Sequence, residues 1–484
     1  MKKEAVNIVW LKRDLRLTDH APLHFASIQR IPVVLLYILD THVLNDAHYD
    51  ARHWQFVRDS LVDVGRRLKL SNNCINVLQG DTVEILKTIA ERYTVVNLLS
   101  YQETGLSVTY EIDKSIYKGL KNSKIVWQEF QYNGVARGIK NRENWVQNWY
   151  GFMHSELNNF EINSVKTIKL DLPQFDSTYF RNLKIDENFQ RGGESRALEL
   201  LKEFIATRSR NYMQHISKPE QSRTSCSRLS AHIAWGNVSL RQVYQAAYNA
   251  KALGNKKNLN AFLSRLRWHD HFIQKFEQEV EMEFVPQNKA YAEISWAKNE
   301  AYISAWENGQ TGIPMVDACM RCLRQTGYLN FRMRAMLVSF FCHAMLQNWR
   351  DGITFLARQF TDFEPGIHYP QFQMQSSVTG INTIRIYNPV KQGKEHDPKG
   401  FFVRKWVPEL QDFPNDVIHE PWKMNAMERV LYGISTTYPS PVLDFEQSLK
   451  IARKELWAAK NSTDVKKAAK EVLAKHTISN RKTQ

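Results

Sequence analysis

No run of 18 apolar residues occurs anywhere in this chain, so no membrane-spanning helix is expected. Cysteine is scarce: five in 484 residues, too few for a disulfide scaffold. They are Cys74, Cys226, Cys319, Cys322 and Cys342. Only Cys319 and Cys322 stand at a metal-type spacing, inside VDACMRCLRQTG, and that context reads as helix rather than as a redox turn or zinc knuckle. Cys226 and Cys342 would have to join them to complete a four-cysteine iron–sulfur site. Small buried helix residues are the simpler reading, and no metal is expected. The opening MKKEAVNIVWLKRDLRL lacks the apolar stretch of a signal peptide, so an intracellular, cytoplasmic location is expected. GxGxxG is also missing after the first apolar segment. LKRDLRLTDHAPL stands there instead, which speaks against dinucleotide binding in the usual position.

What is present is a large, basic, aromatic-rich chain. Its length suits two or three domains at about 150 residues each. A hydrophobic share of 43% and an aromatic share of 12% fill a sizeable core. The net charge of +15 favours an anionic partner, with nucleic acid first. Part of that excess lies in VKKAAKEVLAKHTISNRKTQ, which reads as a solvated, fraying basic helix.

The first part alternates strand and helix patterns. AVNIVWL, IPVVLLYIL, CINVLQG and VVNLLSY are short apolar runs, as strands buried on both faces require. Helical periods such as HWQFVRDSLVDVGRRLKL separate them, which predicts a doubly wound, Rossmann-like parallel α/β sheet over residues 1–150. The pattern breaks over 151–192, read as an interdomain connection. An all-helical domain is expected over 193–430 and a basic helical tail over 431–484.

Three features of the helical part carry chemistry. TSCSRLSAHIAWGNVSL offers hydroxyls, an arginine and backbone N–H groups at a helix start, a workable pyrophosphate cradle or simply a helix cap. RSRNY, RLRWHDHF and LNFRMRAML interleave Arg, His and aromatics, as phosphate contact and base stacking require. Tryptophan is frequent (Trp235, Trp268, Trp296, Trp306, Trp349, Trp406, Trp422), as core filling or as electron relays.

Taken in order, VNIVWLKRDLRLTDHAPL, GGESRALELLKEFI, TSCSRLSAHIAWGNVSL, TGIPMVDACMRCLRQTGYLNFRMRAML, RIYNPVKQGKEHDPKGFFVRKWVPEL and IHEPW resemble the cryptochrome/photolyase family over about residues 5–425. The resemblance implies an α/β domain that often holds an antenna chromophore, folate or deazaflavin, followed by a helical domain around FAD. By position it implies that Tyr212, Ser227, Arg228, Leu229 and Ser230 contact the phosphates and ribityl chain. It implies an Arg334–Asp362 ion pair beside the flavin ring, with Glu364 in the same cofactor segment. It further implies a UV-damaged DNA partner presenting a flipped pyrimidine dinucleotide, with the protein acting as a monomer.

The departures are specific. Photolyases of the commonest bacterial class carry a glutamate three residues before the Trp of their WREF segment. Here Trp268 matches the aromatic, but Arg265 stands at the glutamate position and Asp270 at that of the second acid. An arginine donates and cannot accept. His269 and His271 flank Asp270 and are candidate proton donors or plain helix-face residues; His269 is grouped here with Arg265, Trp268, Asp270 and His368 as catalytic. His368 falls where the family has an asparagine near flavin N5, and Phe372 where it has the flavin-proximal Trp. Trp349 and Trp296 match the middle and outer relay members, with Tyr369, Tyr328 and Tyr387 as alternative donors. Blue-light DNA repair is the leading expectation. A receptor without repair, or a nucleic-acid-binding flavoprotein lacking catalysis, are the alternatives.

Overall fold

The computed structural model describes residues 3–175, 187–293, 297–435 and 437–477. Contacts divide the chain into two compact units, the first formed by residues 1–207, 227–283 and 361–366, the second by 208–226, 284–360 and 367–484.

The first unit is built on five parallel strands: β1 (Ala5–Leu11), β2 (Val33–Asp40), β3 (Asn76–Gly80), β4 (Thr94–Tyr101) and β5 (Val126–Phe130). Their order is β3-β2-β1-β4-β5, so the winding reverses between β1 and β4. Every residue of β2 is buried, the consequence of covering both sheet faces. Alternate side chains feed two cores: Val9, Leu11, Leu35 and Leu39 enter one, and Ile8, Trp10, Val34 and Leu36 the other.

A boundary at 193 was expected, but residues 193–207 and 227–283 belong with the sheet. The loop after β1 explains this. Glu194 accepts from Leu17 N (2.6 Å) and Thr18 N (3.0 Å), and Asn237 Nδ2 donates to Leu15 O (3.1 Å). Asp19 accepts from Ser239 Oγ (2.6 Å) and pairs with Arg241. Gly236 has φ 70°, and a Cβ there would lie 2.1 Å from Arg13 O. These buried polar ties fasten the helices to the sheet layer.

The second unit is helical, and no described helix is long and apolar enough to cross a membrane. In the described part of the basic tail, two helices are packed rather than solvated all round. Helices Phe445–Asn461 and Thr463–His476 bury Phe445, Leu449, Ala452, Leu456, Val465 and Val472. Asn288 Nδ2 donates to Val465 O (3.0 Å), and Lys460 to Asn382 O (2.9 Å). The lysines occupy the outer face and supply the charge read from the sequence.

Each unit contains a fully buried histidine. His232 faces Asn237 Oδ1 (3.0 Å) in the first; His343 contacts Ser339 Oγ (3.0 Å) and Ser377 Oγ (3.2 Å) in the second. Burial pushes both down to about 4. The unfolded chain binds these protons near pH 6.5 and the folded chain does not, so stability is complete above that value and falls as pH drops toward 4. Going from pH 7 to 5 is expected to cost about 2 kcal/mol per histidine. Urea melts at both pH values check this, and His343→Gln and His232→Gln are expected to flatten the dependence.

Candidate functional site

In the first unit, helix Lys256–Glu277 presents the RLRWHDHF segment. Arg265 and Trp268 lie one turn apart, and both are exposed, Trp268 by 41%. Three- and four-residue spacing puts them on one face, where a cation and an indole ring stand side by side in solvent. Arg267 donates to Tyr150 Oη (2.9 Å). His271 lies beside the Trp268 ring (centroids 5.1 Å) and faces Arg142 Nη1 through Nδ1 (3.1 Å). An arginine can only donate, so His271 carries its proton on Nε2.

Asp270 is not on that face. It is completely buried and accepts from Trp149 Nε1 (2.8 Å), Gly134 N (2.8 Å) and His269 Nδ1 (3.1 Å). Its oxygens are spent on protein donors, so it anchors a loop rather than reaching a substrate. His269 is tied to that anchor through the same contact. The sequence motif showed an acid but not its direction.

The Ser227–Ser230 segment also lies in the first unit. Arg228 has φ 61°, Leu229 N is 3.4 Å from Ser227 Oγ, and Ser230 opens a short helix with its side chain exposed. Asp362 is half-buried on the strap Thr361–Gly366. That strap is clamped by residues the sequence did not single out. Arg13 Nη2 donates to Glu364 Oε2 (2.6 Å) and Phe363 O (3.2 Å), and Trp235 Nε1 to Thr361 O (3.0 Å). The carboxylate of Glu364, expected as a cofactor contact, is therefore committed to Arg13. Partners some 350 positions apart leave no sequence signal.

In the second unit, Tyr212 is buried. Arg334 Nε donates to Leu329 O (2.7 Å), and its guanidinium sits 4.0 Å over the Phe360 ring. His368 Nε2 donates to Ile353 O (2.8 Å), which places a proton on Nε2. Its ring lies edge-on to Tyr369 (6.0 Å) and Phe372 (5.8 Å). Trp349 is buried under Arg350 (4.7 Å) at the start of helix Trp349–Gln359. Trp296 lies outside the described residues. Among the described residues, no three metal-ligating side chains come together. Cys319, Cys322 and Cys342 are buried, and burial raises the thiols of Cys319 and Cys342.

The carried-over residues suit a polar cofactor such as FAD. Buried polar atoms without hydrogen-bond partners stand next to them in sequence: Thr361 Oγ1 beside Asp362 in the first unit, and Asn330 Oδ1, Arg332 Nε and Gln371 Oε1 around Arg334 and Phe372 in the second. Native proteins rarely leave such atoms unmatched.

Two family models match the chain: DNA photolyase over 7–137, and the FAD binding domain of DNA photolyase over 262–458. The chain belongs to the photolyase/cryptochrome family. The second match runs through most of helix Phe445–Asn461, so that helix is continuous with the FAD-binding domain rather than an appended tail. Curated relatives of this family member include a deoxyribodipyrimidine photo-lyase of Alkalihalophilus pseudofirmus, 33% identical over 57% of this chain and 58% of that protein. The cryptochrome DASH of Synechocystis is 25% identical over 92% of this chain and 97% of its own. The deoxyribodipyrimidine photo-lyase of Escherichia coli is 26% identical over 91% and 96%. Among solved structures, the Synechocystis cryptochrome matches with a TM-score of 0.85 at 23% identity, covering 94% of this chain and all of that one. A class III photolyase from Agrobacterium tumefaciens matches at 0.84 and 23%, covering 96% and 99%. A third likeness, at 0.78 and 24% over 94% of this chain and 100% of the other, is to a Sulfolobus tokodaii photolyase described with two FAD molecules. Below 25% identity these likenesses speak for the fold.

Proposed function

We propose that this protein is an FAD-dependent, blue-light-driven enzyme that repairs UV pyrimidine photolesions in DNA. The observation that carries the reading is the exposed Arg265–Trp268 face on a strongly basic chain that contains the photolyase FAD-binding domain. FAD, when bound and reduced, supplies the electron that light sends to the lesion and receives it back. The chain's residues bind and orient. By the family resemblance, Ser227, Arg228, Leu229, Ser230 and Asp362 of the first unit, and Tyr212 and Arg334 of the second, are the residues that would hold FAD. Trp268 offers a stacking surface for a flipped dinucleotide, and Arg265 donates to its carbonyls or flanking phosphate. The protein acts as a monomer on this reading.

Arg265→Ala is expected to weaken damaged-DNA binding roughly tenfold while FAD stays bound. Gel shifts on irradiated and intact duplexes check this; unchanged affinity for the irradiated duplex would remove Arg265 from the interface. Phe372→Trp is expected to speed photoreduction several-fold, because an indole is readily oxidised and a phenyl ring is not. The rate at which the flavin band bleaches under blue light, with a reductant present, measures it. An unchanged rate would show that electrons enter by another route.

A second reading, a light receptor without repair, is favoured by one observation: Arg265 replaces the acceptor that photolyases of the commonest bacterial class direct at the lesion. A repair assay under blue light separates the two.

A further inference from the structure

Among the described residues, two tryptophans are exposed to solvent: Trp268 by 41% and Trp457 by 45%. Trp268 belongs to the face assigned above to the lesion. Trp457 lies in the second unit, on helix Phe445–Asn461, and no role given above uses it. A single exposed apolar side chain is ordinary. The surroundings of this one are not.

They are cationic. Lys450, Arg453 and Lys454 are exposed within two turns before Trp457, and Lys460 follows one turn after it. At 3.6 residues per turn all four lie within about 60° of Trp457 around the helix axis, and the stripe runs for about 15 Å. The acids of the helix stand elsewhere: Glu446 one turn before Lys450, and Glu455 about 160° round from Trp457. Lys460 Nζ sits 5.4 Å from the centre of the Trp457 ring and donates to Asn382 O (2.9 Å), so cation and indole are held together.

On other helices of this chain, surface cations meet an acid one turn away, as in Lys87–Glu84, Lys114–Glu111 and Arg196–Glu199. Among the described residues, none of the four cations around Trp457 forms an ion pair. Cations at one-turn intervals about an open indole are complementary to an anionic polymer that carries flat, stackable groups. A lipid surface fits less well. Phe445, Leu449, Ala452 and Leu456 are buried in the fold, so the helix has no apolar side to lay into a bilayer.

We propose that this stripe is a second nucleic-acid contact that takes an unpaired DNA strand. Phosphates pair with Lys450, Arg453 and Lys454, and a base stacks on Trp457. A duplex keeps its bases inside, so stacking selects the unpaired strand. DNA is the nucleic acid that both matching family models name. The ligand needs neither a lesion nor light, so this surface stands or falls apart from the repair reading.

The test follows a fluorescently labelled, undamaged oligothymidylate by anisotropy, in the dark, on the full-length, FAD-loaded protein at several salt concentrations. Trp457→Ala is expected to weaken binding roughly tenfold, the loss of one base stack, and Trp457→Phe less. Lys450→Gln combined with Lys454→Gln is expected to lower the slope of log affinity against log salt by about 1.4, two phosphate contacts on a single strand. FAD content and melting temperature are expected to stay as in the native chain. Native affinity and native slope in these variants would overturn the proposal. So would sedimentation with phosphatidylserine vesicles that the variants abolish while oligothymidylate binding is unchanged, which would give the stripe to a lipid surface.

Discussion

Replacing Asp270 by leucine is expected to destabilise the first unit by about 3–5 kcal/mol, because it strands the buried donors of Trp149 and Gly134. That corresponds to a fall in melting temperature of roughly 10 °C. Asp270→Asn keeps an acceptor in the same shape and is expected to lose much less. The discriminating quantity is repair per folded molecule. An anchor moves stability and leaves that quantity unchanged in the asparagine variant. A fully stable Asp270→Asn protein with abolished repair would instead put the carboxylate in the chemistry.

On the proposed function, which sets Arg334 beside the flavin ring, Arg334→Ala is expected to lower the yield of stable reduced flavin roughly ten- to hundredfold under fixed illumination, the size of one charge-assisted contact. The guanidinium is preset by Leu329 O and the Phe360 face, so no new ordering is needed to present it. Arg334→Lys keeps the charge but not the planar fork, and is expected to fall between. Absorbance of oxidised flavin during anaerobic irradiation measures both. Normal photoreduction in the alanine variant would remove Arg334 from the flavin's surroundings.

Much of the α/β layer is legible from composition along the chain. β2 announces itself because both faces are covered and every position must be apolar. Arg265 and Trp268 share a helix face by spacing alone. The failures have a common cause, which is contact across long separations. Asp270 reads as a motif acid until Trp149 and Gly134 are seen to claim it. Arg13 reads as part of a basic loop until Glu364 meets it. The tail's packing is less legible for a different reason: its lysines dominate the composition, while Phe445, Leu449, Ala452 and Leu456, at helical spacing, are buried. That stripe was readable beforehand.

The central claim is repair. Oligonucleotides carrying either cyclobutane dimers or (6-4) products are mixed with the photoreduced protein under blue light, and absorbance at the pyrimidine band is followed. Light-dependent recovery for one lesion is predicted, lost in darkness and reduced in Arg265→Ala. No recovery for either lesion, with FAD demonstrably bound and reduced, would contradict the claim and leave the receptor reading in its place.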